Sequence, residues 1–446
     1  MVLLVAVPII IQNAISNFVN LLDNIMVGQV GTEPMSGVAI VNQLMFVFNL
    51  AIFGAVSGPG IFTAQYVGQK NSKGVRYTVR FKLIACVLIS ILGILVFCGF
   101  DNQLISLFLT DNGEGLDLAM TLAYAKEYLK VMLWGLVPFA LANAYAGTLR
   151  EAGETKLPMI ASLIAVFINL VLNYLLIFGH LGLPKLGVVG AAVATVISRY
   201  IELLIVVIWT HVHVEKNEFA VGLYKGFEIP KDLAWKILKT GFPLFLNEFL
   251  WSLGMSAVTQ CYSTRGLTVI AAFNISNTIV NLFNVVLISM GNVVAIIVGQ
   301  ALGSGDVEEV VNTDRKLIVV SVLASAAMAL ILILTAPLFP KFYNTSEEIR
   351  LLSVELMRIA AIFMPVGSFL NAAYFTLRSG GKTVITFLFD SAFLFVVSWP
   401  VAFVLSRYTA MNIIAMYIFV LALDFIKVML GAILLKKRIW IQDLVA

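Results

Sequence analysis

Charged residues are scarce in this sequence, and their scarcity excludes most soluble proteins. Only 12% of the residues are Asp, Glu, Lys or Arg, whereas 60% are hydrophobic. A typical soluble domain carries about 25% charged residues. With a mean hydropathy of +0.98, a chain of 446 residues cannot cover its surface with polar groups. The composition therefore indicates an integral membrane protein.

Cysteine and histidine are also few, which limits the chemistry available inside the membrane. The three cysteines lie in apolar runs without the spacing of a disulfide framework or a zinc site, so we expect them to be small buried residues: Cys86, Cys98 and Cys261. The three histidines lie at the ends of predicted spans: His180, His211 and His213. An intramembrane enzyme would need a His, Cys or Ser constellation or a set of metal ligands. We therefore predict no enzyme, no metal site and no cofactor.

The N terminus lacks the basic region and the small-residue cleavage site of a signal peptide. We expect the first span to insert as an uncleaved anchor. The chain starts abruptly inside this span, which is consistent with a missing short polar leader.

Twelve apolar windows are long enough to cross a bilayer as helices. They cover 3–28, 36–67, 77–99, 120–149, 157–179, 187–211, 239–263, 268–301, 312–338, 349–377, 383–405 and 411–435. Most of the basic residues between spans fall on one side, beginning with Lys70, Lys73 and Arg76. The positive-inside rule therefore predicts a multi-pass protein with both termini in the cytoplasm.

The two halves of the chain repeat each other. At an offset of 235 residues, Pro8 matches Pro243 and Gln65 matches Gln300; at an offset of 228, Asn143 matches Asn371. Because each half has six spans, both halves enter the membrane from the same side. The sequence predicts an all-α integral membrane protein with twelve transmembrane helices in two six-helix lobes, related by a pseudo-two-fold axis along the membrane normal. We assign 1–212 to the N-lobe, 213–238 to a cytoplasmic linker and 239–446 to the C-lobe.

Two facing bundles of this kind form a cleft, as in alternating-access transporters. Ionisable residues inside spans are costly and therefore indicate function or pairing. Among the oppositely charged i,i+3 pairs inside spans, Arg199 with Glu202 and Asp424 with Lys427 match each other with the signs exchanged. We interpret these four residues as structural pairs or as parts of an inner gate.

Three carboxylates lack such a partner on their own helix: Asp23, Glu248 and Asp390. Burial favours a protonated carboxylate and a bound cation favours an ionised one, so such a group can exchange a proton or sodium ion for a cationic ligand. Asn169 and Asn173 share one face of span five. With Thr195 of span six they would give Asp23 an oxygen-rich surrounding. We therefore predict an acidic cleft that favours cationic ligands.

These residues give the chain a family resemblance. It resembles the multidrug and toxic compound extrusion (MATE) family, bacterial type, over essentially its whole length. The resemblance rests on Pro8 followed by Asp23, the Gln65–Gln69 end of span two, Asn143 through Gly153, and 190–195 of span six. It implies efflux of amphipathic, often cationic compounds in exchange for protons or sodium, with Asp23 as the coupling carboxylate. The same resemblance brings four polar residues to that site: Asn143, Asn169, Asn173 and Thr195.

Two positions depart from the family pattern. Some members have an aspartate where Asn173 stands; its absence leaves one carboxylate in the N-lobe, which weakens a sodium site and favours proton exchange at Asp23, while the choice between proton and sodium stays open. Other members have an acidic residue in span seven where Trp251 stands, whereas Glu248 comes three residues earlier. Trp251 could stack on a flat cationic drug or simply pack. We predict that the substrate contacts Asp23, Asn143, Glu248, Trp251, Asn371 and Asp390.

The expected partners are a small-molecule substrate and the lipid bilayer, with no nucleic acid and a monomeric state. The expected location is a bacterial plasma (inner) membrane. Two alternatives stay open. A lipid-linked precursor flippase of a sister family would need more spans and a basic cavity. A receptor or other non-transport membrane protein would show no gradient-driven flux.

Overall fold

The computed structural model describes residues 2–107, 117–226, 228–343 and 345–445. Within these ranges twelve long helices follow one another, and each matches one of the twelve predicted spans. They are α1 (Val2–Gly28), α2 (Thr32–Gly68), α3 (Ser72–Gly99), α4 (Leu118–Glu151), α5 (Lys156–Phe178), α6 (Val188–Val212), α7 (Lys231–Ser263), α8 (Leu267–Ser304), α9 (Val307–Thr335), α10 (Glu347–Ser379), α11 (Thr383–Tyr408) and α12 (Ile413–Lys436).

Among the described residues, nine of these helices have the length and hydropathy of membrane spans. The other three are α1, α7 and α10. Helix α7 begins at Lys231, inside the segment 213–238 predicted as a linker, because KDLAWKIL is a helix-forming stretch that is too charged to count as a span. Cys86 and Cys261 are buried as predicted, whereas Cys98 is exposed, because it faces outward near the end of α3.

The helices divide into two compact units. The N-unit comprises Ile11–Thr63 and Asn71–Ile237; the C-unit comprises Met1–Ile10, Ala64–Lys70 and Leu238–Ala446. The lobe boundaries proposed from the sequence stay a prediction.

Close helix packing organises the N-unit. Helices α5 and α6 approach each other at Gly190, where an added Cβ would lie 2.6 Å from the carbonyl oxygen of Leu176. Only glycine permits this approach, as at many interfaces between membrane helices. The segment after α6 is tied to α3 by Arg80, which donates to the carbonyl oxygens of Gly222, Leu223 and Glu228.

The C-unit is built around α8 and α10, whose apolar faces share one buried core with α12. Its C-terminal segment packs into this core through Trp440, which is 1% exposed. Gln65 of α2 fixes the segment by accepting from the Leu444 N–H at 2.8 Å and donating to the carbonyl oxygens of Ser379 and Gln442. Helix α11 departs from regular geometry, since Leu388–Ala392 and Leu394–Ser398 are π-helical.

Candidate functional site

Asp23 lies in the N-unit against the polar face of α5. Its Oδ1 accepts a hydrogen bond from Asn173 Nδ2 at 2.7 Å. Asn173 is 1% exposed and Asp23 is half-buried. The structure thus brings together the carboxylate and the amide that the sequence placed in one site.

Asn169 and Thr195 extend this contact into a chain across two helices. Asn169 lies one turn before Asn173 on the same face of α5, with 3.2 Å between the Asn173 Nδ2 and the Asn169 amide. It also lies 3.3 Å from Thr195 Oγ1 on α6. The close packing of α5 and α6 at Gly190 makes this second contact possible. All four residues predicted to form the cation-coupling site, Asp23, Asn169, Asn173 and Thr195, are therefore neighbours.

The Asn169 amide can face Asp23 in two ways. One end of the amide lies 3.1 Å from Oδ1 and 3.0 Å from Oδ2 of the carboxylate. If its nitrogen is that end, it donates to both oxygens, which suits an ionised carboxylate. If the Asn169 oxygen faces the carboxylate, that oxygen accepts from Asn173 Nδ2. A proton or a cation is then needed between the Asn169 oxygen and the Asp23 carboxylate. The orientation with the nitrogen toward Asp23 satisfies both ends of the amide, because its oxygen then accepts from Thr195 Oγ1 at 3.3 Å.

Asp23 has no basic partner within the described part of the chain: the ion pairs found there do not include it. Its hydrogen-bond partners are neutral amides. Asn173 Oδ1, which is buried, accepts no hydrogen bond from any described residue. The site therefore offers oxygen atoms and one carboxylate without a fixed positive charge.

Asn143 does not join this chain. Its Nδ2 donates to the Phe139 carbonyl oxygen of its own helix α4 at 2.8 Å. Its repeat mate Asn371 instead donates across helices, from α10 to the Leu287 carbonyl oxygen of α8 at 2.9 Å. Direct substrate contact by either residue stays a prediction.

The C-unit contains a second polar cluster, around Glu248 and Asp390. Glu248 accepts from the Tyr374 hydroxyl at 3.2 Å. Asp390 Oδ2 accepts from Asn247 Nδ2 at 3.3 Å, and Asn247 also bonds the side chain and backbone of Ser391. The sequence analysis missed Asn247 and Tyr374. In the sequence, both residues could have been noticed only as polar groups in apolar spans. Asn247 had the additional feature that it adjoins Glu248.

Asp390 corrects a sequence expectation, because it has a positive partner. Lys427 Nζ lies 3.1 Å from Asp390 Oδ1. The predicted partner of Lys427 was Asp424, three residues earlier on α12. The ion pair forms between helices instead, since Lys427 reaches the π-helical part of α11, whereas a same-helix pair contributes only about 0.2–0.5 kcal/mol.

The equivalent pair in the N-unit is also not a direct ion pair. The Arg199 guanidinium donates to the Gly135 carbonyl oxygen at 3.4 Å and lies 4.8 Å from the centre of the Phe139 ring. A 3₁₀ turn at Leu133–Gly135 places that carbonyl next to α6. Glu202 remains within the electrostatic influence of Arg150 and Arg199.

Trp251 lies three residues after Glu248 on α7 and is 43% exposed. Its exposure leaves both stacking on a ligand and packing against lipid open. Its role, like the gate role of Arg199, Glu202, Asp424 and Lys427, stays a prediction.

Comparisons with known proteins identify relatives of this chain. The profile of the MatE family matches residues 8–175 and 243–404, one match in each half. A probable multidrug resistance protein NorM of Thermotoga maritima is 28% identical over 421 residues, which cover 94% of this chain and 88% of that protein. The probable multidrug resistance protein YoeA of Bacillus subtilis is 23% identical over 413 residues, covering 92% and 88%.

Solved structures agree on the fold. A multidrug resistance MATE family transporter of the MOP superfamily, in an outward-facing conformation, superposes with a TM-score of 0.86 at 20% identity over 98% of this chain and 94% of that one. A crystal structure of MATE in the bent conformation gives a TM-score of 0.87 at 20% identity, with the same coverage. The predicted fold class, twelve transmembrane helices in two six-helix lobes, is confirmed. The chain therefore belongs to the MATE family of membrane transporters.

Proposed function

We propose that this transporter exports amphipathic, mostly cationic small molecules by alternating access, in exchange for protons or sodium ions. The observation that carries the proposal is Asp23: a half-buried carboxylate held by two amides, with no basic partner in the described part of the chain. A carboxylate in an apolar helix must be neutralised, by a proton, a metal cation or a cationic ligand. Competition among these for one site couples the flux of one to that of another.

The names of the relatives support export of drugs, since NorM and YoeA are described as probable multidrug resistance proteins. Bacterial sources of these relatives support a bacterial plasma membrane as the location. We propose that both termini are cytoplasmic, that the protein acts as a monomer, and that it needs no cofactor besides the coupling ion. Lipid and the small-molecule substrate are then its only partners.

The test is efflux of a cationic dye from loaded liposomes containing the purified protein. A pH gradient and a sodium gradient are imposed separately on the wild type, Asp23→Asn and Glu33→Gln. Glu33 is a matched control, because it is a carboxylate in the first turn of the neighbouring helix α2. We expect one gradient to drive the wild type and Glu33→Gln, and Asp23→Asn to fall to the rate of empty liposomes.

The gradient that drives wild-type efflux identifies the coupling ion. Transport by a folded Asp23→Asn protein at the wild-type rate would remove Asp23 from the coupling mechanism. Absence of flux under both gradients would reject drug antiport itself and restore the flippase and non-transport alternatives.

A further inference from the structure

The carboxylate cluster of the C-unit already contains a cation that belongs to the protein. Lys427 Nζ lies 3.1 Å from Asp390 Oδ1, and only 13% of the Lys427 side chain and 22% of the Asp390 side chain are exposed. A lysine placed this deep on a membrane helix needs its partner to offset the cost of burial. The pair is therefore part of the cluster in this structure.

Two aromatic rings lie close to the Lys427 ammonium. The centres of the Phe389 and Phe393 rings lie 5.6 and 5.9 Å from Lys427 Nζ. Phe389 adjoins Asp390 in the π-helical turn Leu388–Ala392, and Phe393 directly follows that turn, so one segment of α11 supplies the carboxylate and two cation–π contacts. This combination holds the lysine head group at one place.

The surroundings of Asp390 would suit a mobile cation if Lys427 were absent. Asn247 orients Asp390 through Oδ2, and Glu248 is joined to the same group through Tyr374. Two further charges, Arg378 and Asp424, act on these carboxylates. These five ionisable groups comprise three acids and two bases, so removal of Lys427 leaves three acids with one base.

The surroundings of Asp23 in the N-unit are different. Asp23 is surrounded by the amides of Asn169 and Asn173, and the described residues supply it with no ammonium or guanidinium partner. One carboxylate is thus open to a mobile ion, and the other is occupied by a tethered one.

We propose that Lys427 is a specificity-determining residue: its ammonium occupies the position that a monovalent cation would take at Asp390, and it thereby restricts ion coupling to Asp23. This inference rests on the proposed antiport function. Under this proposal, the number of coupling ions depends on whether Lys427 is present on α12.

The test measures ²²Na⁺ binding to the purified full-length protein in detergent at pH 8, where sodium competes least with protons. All variants carry Asp23→Asn, so that any binding arises elsewhere. We expect no saturable binding with Asp23→Asn alone. Adding Lys427→Gln should create one saturable site per protein, and adding Asp390→Asn to that variant should abolish it.

Lys427→Arg is the matched control, because it keeps a positive charge at the same place and should create no site. Elution as a single peak in size-exclusion chromatography shows that each variant is folded, and Lys427→Met replaces Lys427→Gln if the glutamine variant aggregates. A folded, lysine-free variant that binds no more ²²Na⁺ than the arginine variant overturns the proposal. Binding that survives Asp390→Asn overturns it as well.

These measurements do not depend on dye transport. If the wild type fails to export dye, the proposed function is rejected, while the binding result still decides whether Lys427 excludes a cation from Asp390.

Discussion

At the scale of single residues, the proposed coupling site depends on an amide at position 173. Asn173 Nδ2 donates a hydrogen bond to Asp23 Oδ1 at 2.7 Å, so it stabilises the carboxylate without adding charge. An aspartate at this position would place two carboxylates in contact. Two carboxylates in contact share a proton, unless a cation lies between them and allows both to be ionised.

Asn173→Asp is therefore expected to favour sodium at this site. An added charged ligand contributes roughly 1.5–3 kcal/mol, which corresponds to sodium binding tighter by about tenfold or more. The measurement is the sodium concentration that half-saturates dye efflux, compared between the variant and the wild type. Asn173→Leu, which adds no charge and removes the donor, serves as the control. An unchanged sodium requirement in Asn173→Asp would show that residue 173 does not contact the ion.

The ion pair in the C-unit predicts a non-additive effect on stability. Asp390→Asn leaves Lys427 without its carboxylate, and Lys427→Met leaves Asp390 without its ammonium, so each change should lower the free energy of unfolding by about 1–3 kcal/mol. The double variant should lose less than the sum of the two, because neither charge is then left unpaired. Thermal unfolding of the four proteins in detergent measures this coupling. Strict additivity would mean that the two groups do not interact.

The sequence predicted the neighbours of Asp23 but not the ion pair of Asp390 with Lys427. Asp23 was identifiable because Asn169 and Asn173 share a helix face, and because the family resemblance joined that face to span one. Lys427 and Asp390 lie on different helices, and no local rule connects them. The i,i+3 rule pointed to Asp424 instead, because it considers one helix in isolation.

At the scale of helices, the site depends on how closely α5 and α6 approach each other. Gly190→Ala would place a Cβ 2.6 Å from the Leu176 carbonyl oxygen, so the two helices must separate. We expect a loss of about 1–3 kcal/mol in stability, the usual cost of overpacking, together with reduced dye efflux as Thr195 moves away from Asn169. Thermal unfolding and efflux are measured on the same preparation.

Gly99→Ala is the control for this prediction. Gly99 ends α3 in the same unit, and an added Cβ there meets nothing within 4 Å. Equal behaviour of the two alanine variants would mean that helix α6 tolerates the displacement and that the contact of Asn169 with Thr195 is not needed.

The apolar windows predicted the helices well and their internal irregularities poorly. Hydropathy over 383–405 indicates a span but contains no information on the π-helical turns that aim Asp390 at Lys427. These turns depend on tertiary contacts, among them the hydrogen bonds from Ser391 to Asn247 of α7. The early start of α7 at Lys231 was not visible in a scan for membrane spans because that stretch is too charged.

At the scale of the whole molecule, the distribution of basic residues predicts the orientation in the membrane. Lys73, near the start of α3, and Lys185, between α5 and α6, are both exposed and lie on opposite predicted sides. In a variant without the three native cysteines, Lys185→Cys should react with an impermeant maleimide in intact cells. Lys73→Cys should react only after permeabilisation. Labelling in the reverse order would invert the topology.

The duplication predicted from the sequence accounts for the equal number of helices in each half, and it also shows where the halves have diverged. Positions matched by the repeat, such as Asn143 and Asn371, keep the residue but not its partner. The repeat can be recognised in the sequence, whereas the hydrogen-bond partner of a side chain depends on the folded structure. The repeat therefore predicts the architecture and not the chemistry of each unit.

The packing of Trp440 provides an optical reporter within the native chain. Its indole is 1% exposed, and its Nε1–H donates to the Leu435 carbonyl oxygen at 3.3 Å. An indole in such a dry environment emits at short wavelength, and contact with water would shift the emission to the red. With the other five tryptophans replaced by phenylalanine, the emission wavelength of Trp440 would show whether the C-terminal segment stays packed in the core while substrate and ions are added.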